Sequence, residues 1–280
     1  MSDPVVSTAW LGERLGSPDV AVVDATWFMP AENRSGRAEF EAAHIPGAVF
    51  FDIDAVADTT VDLPHMLPTP QAFAEAAGAL GLSPELQVVV YDAHGLFSAP
   101  RAWWTLRAMG FAHVRVLDGG LPRWRSEGRP LEAGPPAPRP RAFSALPDSG
   151  LVRSLEEVRA ILDDGSAQLV DARPAARFRG EAPEPRPGLR GGHMPGACNL
   201  PFGAVVGPDG GLKPAAELRG VFEAAGVDLS RPIVTTCGSG VTASVLALAL
   251  ARLGLDRVPV YDGSWSEWGA HPDTPVVTGA

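Results

Sequence analysis

The residue best placed to do chemistry is a cysteine that follows a β-branched run. Ile233 to Thr236 is typical of a buried strand, and Cys237 comes directly after it. Gly238 and Gly240 then allow a tight loop before an apolar helix. The thiol is thus expected at the carboxyl end of a strand and over a helix N-terminus, where open α/β sheets bind ligands. The helix dipole and loop N–H groups favour the nucleophilic thiolate.

A structural role is the alternative for any cysteine, and we expect it for Cys198, which follows a His-Pro-Gly turn. The two cysteines are too far apart in sequence for a Cys-x-x-Cys pair. No Cys/His cluster has the spacing of metal ligands, so no structural metal is predicted. The N-terminus lacks a basic region followed by an apolar core, so we expect a cytoplasmic protein with reduced thiols.

Charge and hydropathy exclude some partners. The formal net charge is −10 over 280 residues, which argues against a broad basic footprint for nucleic acid or an anionic membrane. The most apolar run, Val241 to Leu253, is too short to cross a bilayer. An anionic small substrate stays open, because one or two arginines can reverse the field inside a pocket.

The chain repeats itself, and the repeats keep one order with a slowly drifting offset. Chance would rarely produce three such pairs in register, and the period is too long for a solenoid. The repeat therefore predicts two homologous domains. The repeated segments are His44-Ile45-Pro46-Gly47-Ala48 with His193-Met194-Pro195-Gly196-Ala197, Val23-Asp24-Ala25 with Val170-Asp171-Ala172, and Asp118-Gly119 plus Trp124 with Asp262-Gly263 plus Trp268.

Each half alternates short apolar runs with helical segments, which predicts an α/β fold with a mostly parallel sheet flanked by helices. We divide the chain into domains at residues 1–128 and 150–280, joined by a proline-rich linker at 129–149. The predicted helices are Pro70 to Leu80, Ala99 to Met109, Leu155 to Leu162, Pro214 to Ala225 and Val241 to Leu253, with Gly81, Gly110, Gly165, Gly226 and Gly254 as C-caps.

These motifs together resemble the tandem-domain rhodanese superfamily over essentially the whole chain. The most specific part is Cys237-Gly238-Ser239-Gly240-Val241-Thr242-Ala243, which occurs only in the second copy. Gly238 and Ser239 after the cysteine are similar to the mercaptopyruvate sulfurtransferases, whereas thiosulfate-preferring members typically carry Arg and Lys there. The resemblance implies a persulfide carried on Cys237, with Gly238, Gly240, Val241 and Thr242 in the binding loop.

The resemblance also implies a silent first domain. Aligning Val88 to Tyr91 with Ile233 to Thr236 places Asp92 at the Cys237 position, and an aspartate cannot carry a sulfane sulfur. The first copy is therefore expected to contribute no nucleophile. His44 and His193 recur in both copies, which favours a turn-stabilising role over catalysis for them.

Two arginines match the family's substrate-binding pair. In mercaptopyruvate enzymes the residues matching Arg177 and Arg186 hold the substrate carboxylate and keto oxygen. A planar guanidinium suits a bidentate grip on a carboxylate. A solvated or interdomain ion pair is the alternative for either arginine.

The resemblance further implies a proton relay of Ser239, His65 and Asp54, similar to a Ser-His-Asp arrangement. The implied reaction is sulfur transfer from 3-mercaptopyruvate to a thiol such as thioredoxin or glutathione, or to cyanide, without a metal or organic cofactor. The family expectation for the oligomeric state is a monomer.

Three alternatives stay open at this level. The donor could be thiosulfate, on the same scaffold. A cysteine phosphatase would need a longer loop with an arginine near its end, but the next arginine after Cys237 is Arg252, deep in the predicted helix. A non-catalytic persulfide carrier or redox sensor would be indicated by loss of the cysteine or of the substrate arginines, and all are present.

Overall fold

The computed structural model describes residues 3–279 and divides into two compact units. Unit 1 comprises the described part of Met1–Asp58 together with Leu67–Asp148 and Gly207–Leu212. Unit 2 comprises Thr59–Met66, Ser149–Val206 and the described part of Lys213–Ala280. Two short segments depart from the order of the chain. Thr59–Met66 is flanked in sequence by residues of unit 1 but belongs to unit 2, and Gly207–Leu212 is flanked by residues of unit 2 but belongs to unit 1.

Unit 1 is a five-stranded parallel sheet with helices between its strands, in the order β1-β5-β4-β2-β3. The longest strands lie at the centre of the sheet and are mostly buried, as expected of a parallel sheet. Its elements are β1 (Val5–Val6), α1 (Thr8–Gly12), β2 (Val20–Asp24), α2 (Gly36–Ala42), β3 (Val49–Phe50), α3 (Pro70–Ala79), β4 (Gln87–Tyr91), α4 (Ala99–Ala108), β5 (Val114–Leu117) and α5 (Gly120–Ser126), with a 3₁₀ turn at Pro30–Glu32.

Unit 2 repeats this topology, with parallel strands in the order β6-β10-β9-β7-β8. The predicted α/β fold, with two tandem sheets flanked by helices, is confirmed. Its elements are β6 (Val152–Arg153), α6 (Leu155–Asp164), β7 (Gln168–Asp171), α7 (Ala175–Phe178), β8 (Cys198–Asn199), α8 (Ala215–Ala224), β9 (Ile233–Thr236), α9 (Val241–Arg252), β10 (Val260–Tyr261) and α10 (Ser264–Trp268), with 3₁₀ turns at Ser149–Leu151 and Phe202–Val205.

Local sequence explains where the helices begin and end. Ser154 caps α6: its hydroxyl accepts the Glu157 N–H, and the Glu157 carboxylate accepts the Ser154 N–H in return. Thr69 caps α3 in a similar way, with Pro70 at the first helical position. All five glycines predicted as C-caps have positive φ, but only Gly165 is the C-cap residue itself, and each of the other four comes directly after the C-cap of its helix. No helix of the described residues is long and apolar enough to span a bilayer.

The duplicated histidines have equivalent structural contacts. In unit 1 the His44 Nδ1 lies 2.7 Å from the Phe40 carbonyl oxygen, and the ring stacks on Phe40 at 3.9 Å. In unit 2 the His193 Nδ1 lies 2.8 Å from the Phe178 carbonyl oxygen, with the ring stacked on Phe178 at 3.7 Å. Both side chains are buried, so these contacts account for the repeated histidine as a structural residue.

The proline-rich segment belongs to unit 1 as far as Asp148, and Ser149 is the first residue of the next part of unit 2. The backbone of the segment exchanges two hydrogen bonds between Glu132 and His44, and later donates from Arg141 to Gly78 O and from Leu146 to Met109 O. Such spaced contacts suit a segment in which proline removes many of the backbone donors.

The duplicated Val-Asp-Ala segments differ in the charge beside the aspartate. In unit 2 the buried Asp171 pairs with the Arg173 guanidinium at 2.7 Å. In unit 1 the matching Asp24 is equally buried, but Thr26 stands where Arg173 stands and offers its backbone N–H at 2.8 Å. Burial raises the pKa of Asp24 to about 6, while the contacts with Thr26 and Tyr91 oppose that rise.

We expect Asp24→Asn to stabilise the protein at pH 8 and to have little effect at pH 4. The folded-state pKa lies above the unfolded value, so the protonated carboxyl favours folding below about pH 4 and this contribution is lost as pH rises through 6. The difference in unfolding free energy between variant and wild type should grow by about 2–3 kcal/mol from pH 4 to pH 8. Urea denaturation at both pH values measures it, and a constant difference would contradict the assignment.

Candidate active site

Cys237 lies where the sequence predicts it, between the end of β9 and the start of α9. Its side chain is buried, with 2% of the residue exposed. The first intrahelical hydrogen bond runs from Ser244 N to Gly240 O at 3.3 Å, so the amides of residues 241–243 come before the helical ladder. Gly240, the N-cap, has a φ of 79°, which glycine adopts at little cost. Cys237 therefore precedes a helix N-terminus by three residues, and the amide donors of such an end suit an anion.

Residues of the short helix α10 hydrogen-bond to the backbone of the cysteine loop. Trp265 N donates to Cys237 O at 2.9 Å, and Ser266 donates to Gly238 O from both its backbone N and its Oγ, at 2.9 and 2.7 Å. The Ser264 Oγ accepts the Cys237 N–H at 3.3 Å and donates to Tyr261 O at 2.8 Å. These contacts fix the backbone at Cys237 and Gly238.

Asp92 occupies the equivalent place in unit 1, as the sequence alignment indicates. Asp92 O accepts the Leu121 N–H at 3.0 Å, just as Cys237 O accepts the Trp265 N–H. The preceding residue, Tyr91, accepts the Ala25 N–H at 2.9 Å, which matches the bond from Ala172 N to Thr236 O in unit 2. The two loops therefore leave equivalent strands in equivalent positions.

The Asp92 carboxylate fills its own loop. Five backbone N–H groups converge on its two oxygens at 2.7–2.9 Å, and the side chain is fully buried. The donors are His94, Gly95, Phe97, Ser98 and Ala99. The loop in unit 1 thus binds an anion supplied by the protein itself, whereas the shorter loop in unit 2 carries a thiol.

Arg177 is the predicted substrate residue that the structure brings to the cysteine loop. It lies at the end of α7, and its Nη2 would be 3.2 Å from a Cβ atom added at Gly238. The side chain is 20% exposed. A residue with a side chain in place of Gly238 would crowd the guanidinium, so the glycine allows arginine and loop to approach each other.

Arg177 is joined to a buried ion cluster that was not predicted from the sequence. Arg173 binds the Asp171 carboxylate through Nε at 2.9 Å and Nη2 at 2.7 Å, and donates from Nη1 to the Glu184 Oε1 at 2.9 Å. The other oxygen of Glu184 accepts from Nε and Nη2 of Arg177. Asp171 stood in the duplicated Val-Asp-Ala segment and Glu184 between the two predicted arginines, but neither signal by itself indicates a buried pair.

The remaining predicted residues lie in different surroundings. Ser239 and Val241 are buried in the loop and Thr242 is partly exposed. His65, 6% exposed and with a φ of 62°, belongs to unit 2, the same unit as Ser239. Asp54 belongs to unit 1, where its carboxylate accepts the Trp27 indole N–H at 2.8 Å.

Arg186 is partly exposed in the loop that follows Glu184. Cys198, in β8, has its Sγ 3.7 Å from Gly226 O, and burial raises the pKa of its thiol, which suits a structural residue. Among residues 3–279 no group of His, Cys, Asp and Glu side chains has an arrangement that could hold a metal ion.

Comparison with known proteins identifies related sequences over nearly the whole chain. The rhodanese-like domain family matches twice, at residues 7–127 and 154–271. A 3-mercaptopyruvate sulfurtransferase of Escherichia coli K12 is 46% identical over 272 residues, covering 97% of this chain and 96% of the relative. The mitochondrial thiosulfate/3-mercaptopyruvate sulfurtransferase 1 of Arabidopsis thaliana is 44% identical over 296 residues, covering 98% of this chain and 78% of the relative.

Solved structures agree with the sequence comparison. The crystal structure of SseA from Escherichia coli, a 3-mercaptopyruvate sulfotransferase with the rhodanese fold, superposes with a TM-score of 0.87 at 43% identity. The match covers 94% of this chain and 99% of that one.

The filled loop of unit 1 leads to a stability prediction. We expect Asp92→Asn to lower the free energy of unfolding by about 3 kcal/mol, because an amide NH₂ would face backbone N–H groups that now bind a carboxylate. Asp19→Asn is the matched control, since the exposed Asp19 carboxylate accepts one bond, from Gln87. Urea denaturation compares the two, and equal midpoints for both variants would contradict the anion-binding interpretation.

Proposed function

The chain belongs to the rhodanese-like domain family in two tandem copies, and on that premise we propose that it is a sulfurtransferase that takes sulfur from 3-mercaptopyruvate onto Cys237. One observation carries the proposal: a buried cysteine comes just before the N-cap of α9, and the Arg177 guanidinium approaches its loop at Gly238. Unit 1 has Asp92 at the equivalent position, so we propose that this copy is catalytically silent.

The reaction uses the thiolate of Cys237 as nucleophile. The thiolate attacks the sulfur of 3-mercaptopyruvate, a new S–S bond forms, and the C–S bond breaks with its electron pair leaving on carbon as the enolate of pyruvate. The proton of the substrate thiol moves to that carbon. The outer sulfur of the persulfide then rests against the N–H groups of the loop, which includes Gly238, Gly240, Val241 and Thr242.

Arg177 and Arg186 are proposed to hold the substrate carboxylate and the keto oxygen. A guanidinium donates two parallel hydrogen bonds to a carboxylate, so it both binds and orients the donor. The same positive charge stabilises the negative charge that develops on the enolate oxygen as the C–S bond breaks. The position of Arg177 beside Gly238 supports this role.

Ser239, His65 and Asp54 are proposed to move the proton. Ser239 lies two residues after the nucleophile, and His65 is buried in the same unit as Ser239. For Asp54 the proposal rests on the resemblance to the mercaptopyruvate enzymes. The relay would deliver the thiol proton toward the departing carbon.

A second substrate then collects the outer sulfur in a ping-pong reaction. We propose a thiol such as thioredoxin or glutathione, or cyanide, as the acceptor, and a monomeric cytoplasmic enzyme that needs no cofactor. Thiosulfate is the second candidate donor, because the Arabidopsis relative carries both donors in its name. A persulfide carrier without turnover is the non-enzymatic alternative.

Mass spectrometry after incubation with 3-mercaptopyruvate and no acceptor tests the nucleophile. We expect wild type to gain the mass of one sulfur atom per chain and Cys237→Ser to gain none, because only that thiol forms the persulfide. Cys198→Ser is the matched control and should gain the adduct like wild type. An adduct of wild-type yield on Cys237→Ser would show that the nucleophile is assigned incorrectly.

A donor comparison tests the substrate. We expect kcat/KM for 3-mercaptopyruvate to exceed that for thiosulfate, and Arg177→Ala to lower the former about 100-fold, since the carboxylate loses its oriented partner. Arg179→Ala, two residues away on an exposed side chain paired with Glu181, is the control and should change neither value. A preference for thiosulfate would favour the second candidate.

A further inference from the structure

We propose that Glu184 is a positioning residue of the substrate site, which holds the Arg177 guanidinium so that its remaining donors face the Cys237 loop. The inference rests on the proposed function, because Arg177 is taken as the residue that binds the substrate carboxylate. Glu184 is too deeply buried to contact the substrate itself.

The Glu184 carboxylate is almost completely buried, with 1% of its side chain exposed, and both of its oxygens bind arginine. One oxygen accepts from Arg173 at 2.9 Å. The other accepts from Nε at 3.1 Å and also from Nη2 of Arg177. A carboxylate in this position cannot turn without breaking a buried ion pair, so the orientation of Arg177 follows from that of Glu184.

Arg173, which binds the first oxygen of Glu184, has further partners of its own. Asp171 binds it through two nitrogens, Gly192 O accepts from Nη2 at 2.8 Å, and its guanidinium lies over the Trp265 ring at 4.1 Å. Trp265 also donates its backbone N–H to Cys237 O. A continuous set of contacts therefore runs from the nucleophile's backbone through Trp265, Arg173 and Glu184 to Arg177.

These contacts both begin and end at the cysteine loop, because Arg177 Nη2 approaches Gly238. Arginine has five N–H donors, and two of those on Arg177 bind Glu184. The three that remain belong to Nη1 and Nη2, the end of the side chain that lies by the loop. A substrate carboxylate beside Cys237 would meet donors whose direction is already set, which lowers the cost of orienting it.

The negative charge of Glu184 should also affect which sulfur donor is preferred. Asp171 and Glu184 neutralise Arg173 and Arg177 within the buried cluster, so little excess positive charge faces the loop. A donor with a single carboxylate fits such a site better than a dianion, which gains more from uncompensated charge. Removing the Glu184 charge should therefore shift donor preference toward thiosulfate.

The test compares Glu184→Gln with Glu181→Gln. Glu181 accepts two bonds from Arg179, at 2.9 and 2.7 Å, in the same segment, but that pair is exposed, so it is a matched control. We expect Glu184→Gln to raise KM for 3-mercaptopyruvate about tenfold or more with a smaller change in kcat, and to raise the ratio of thiosulfate to mercaptopyruvate kcat/KM. Glu181→Gln should match wild type in all of these.

A double-mutant cycle separates positioning from general structural damage. In an Arg177→Ala background, Glu184→Gln should lower kcat/KM by no more than about twofold, because the residue through which it acts is gone. An undiminished loss in that background, or an unchanged KM in the single variant, would overturn the inference.

Glu184→Asp covers the case in which the glutamine variant does not fold. It keeps the charge but is one methylene shorter, so it cannot span both arginines, and we expect a raised KM; a wild-type KM would overturn the inference. Turnover by wild type with unaffected Glu184 variants would refute this inference alone. Absence of mercaptopyruvate turnover and of a Cys237 adduct in wild type would refute the proposed function as well.

Discussion

The backbone N–H groups between the central strand of each sheet and the helix that follows it are the constraint on which both halves of this protein depend. A strand that ends beneath a helix N-terminus leaves amide donors without helical partners, and these favour a negative charge. In unit 1 the Asp92 carboxylate takes the place of that negative charge and accepts five backbone N–H groups. In unit 2 the same position holds Cys237, whose thiolate or persulfide would supply it during the reaction.

The two copies differ in the side chain at this position: a carboxylate fills the loop in unit 1, and a thiol lies there in unit 2. The backbone contacts at the two positions are equivalent: the carbonyl oxygens of Asp92 and Cys237 each accept the N–H of the second residue of a short helix, Leu121 in unit 1 and Trp265 in unit 2. What differs is the length of the loop. The longer loop of unit 1 wraps around a carboxylate, and the shorter loop of unit 2 leaves its donors for a ligand.

The buried ion cluster is the second difference between the copies. Asp24 and Asp171 end equivalent strands, but only Asp171 has an arginine, Arg173, beside it. Burying several charges is costly unless each is paired, and here the pairing extends through Glu184 to Arg177. The cluster therefore links the packing of unit 2 to the orientation of Arg177, the proposed substrate-binding residue.

The duplication, the alternation of strands and helices, and the candidate nucleophile could all be predicted from the sequence, because repeated motifs, apolar runs, turn glycines and a cysteine after a β-branched strand are signals visible in the sequence. It also placed Asp92 at the position of Cys237, since the two strands align without gaps. Two features are visible only in the folded chain: the segment with His65 belongs to unit 2, and Glu184 joins Arg173 to Arg177. Both features depend on contacts between residues whose spacing in the sequence follows no helical or strand pattern, so the sequence gives no local signal for them.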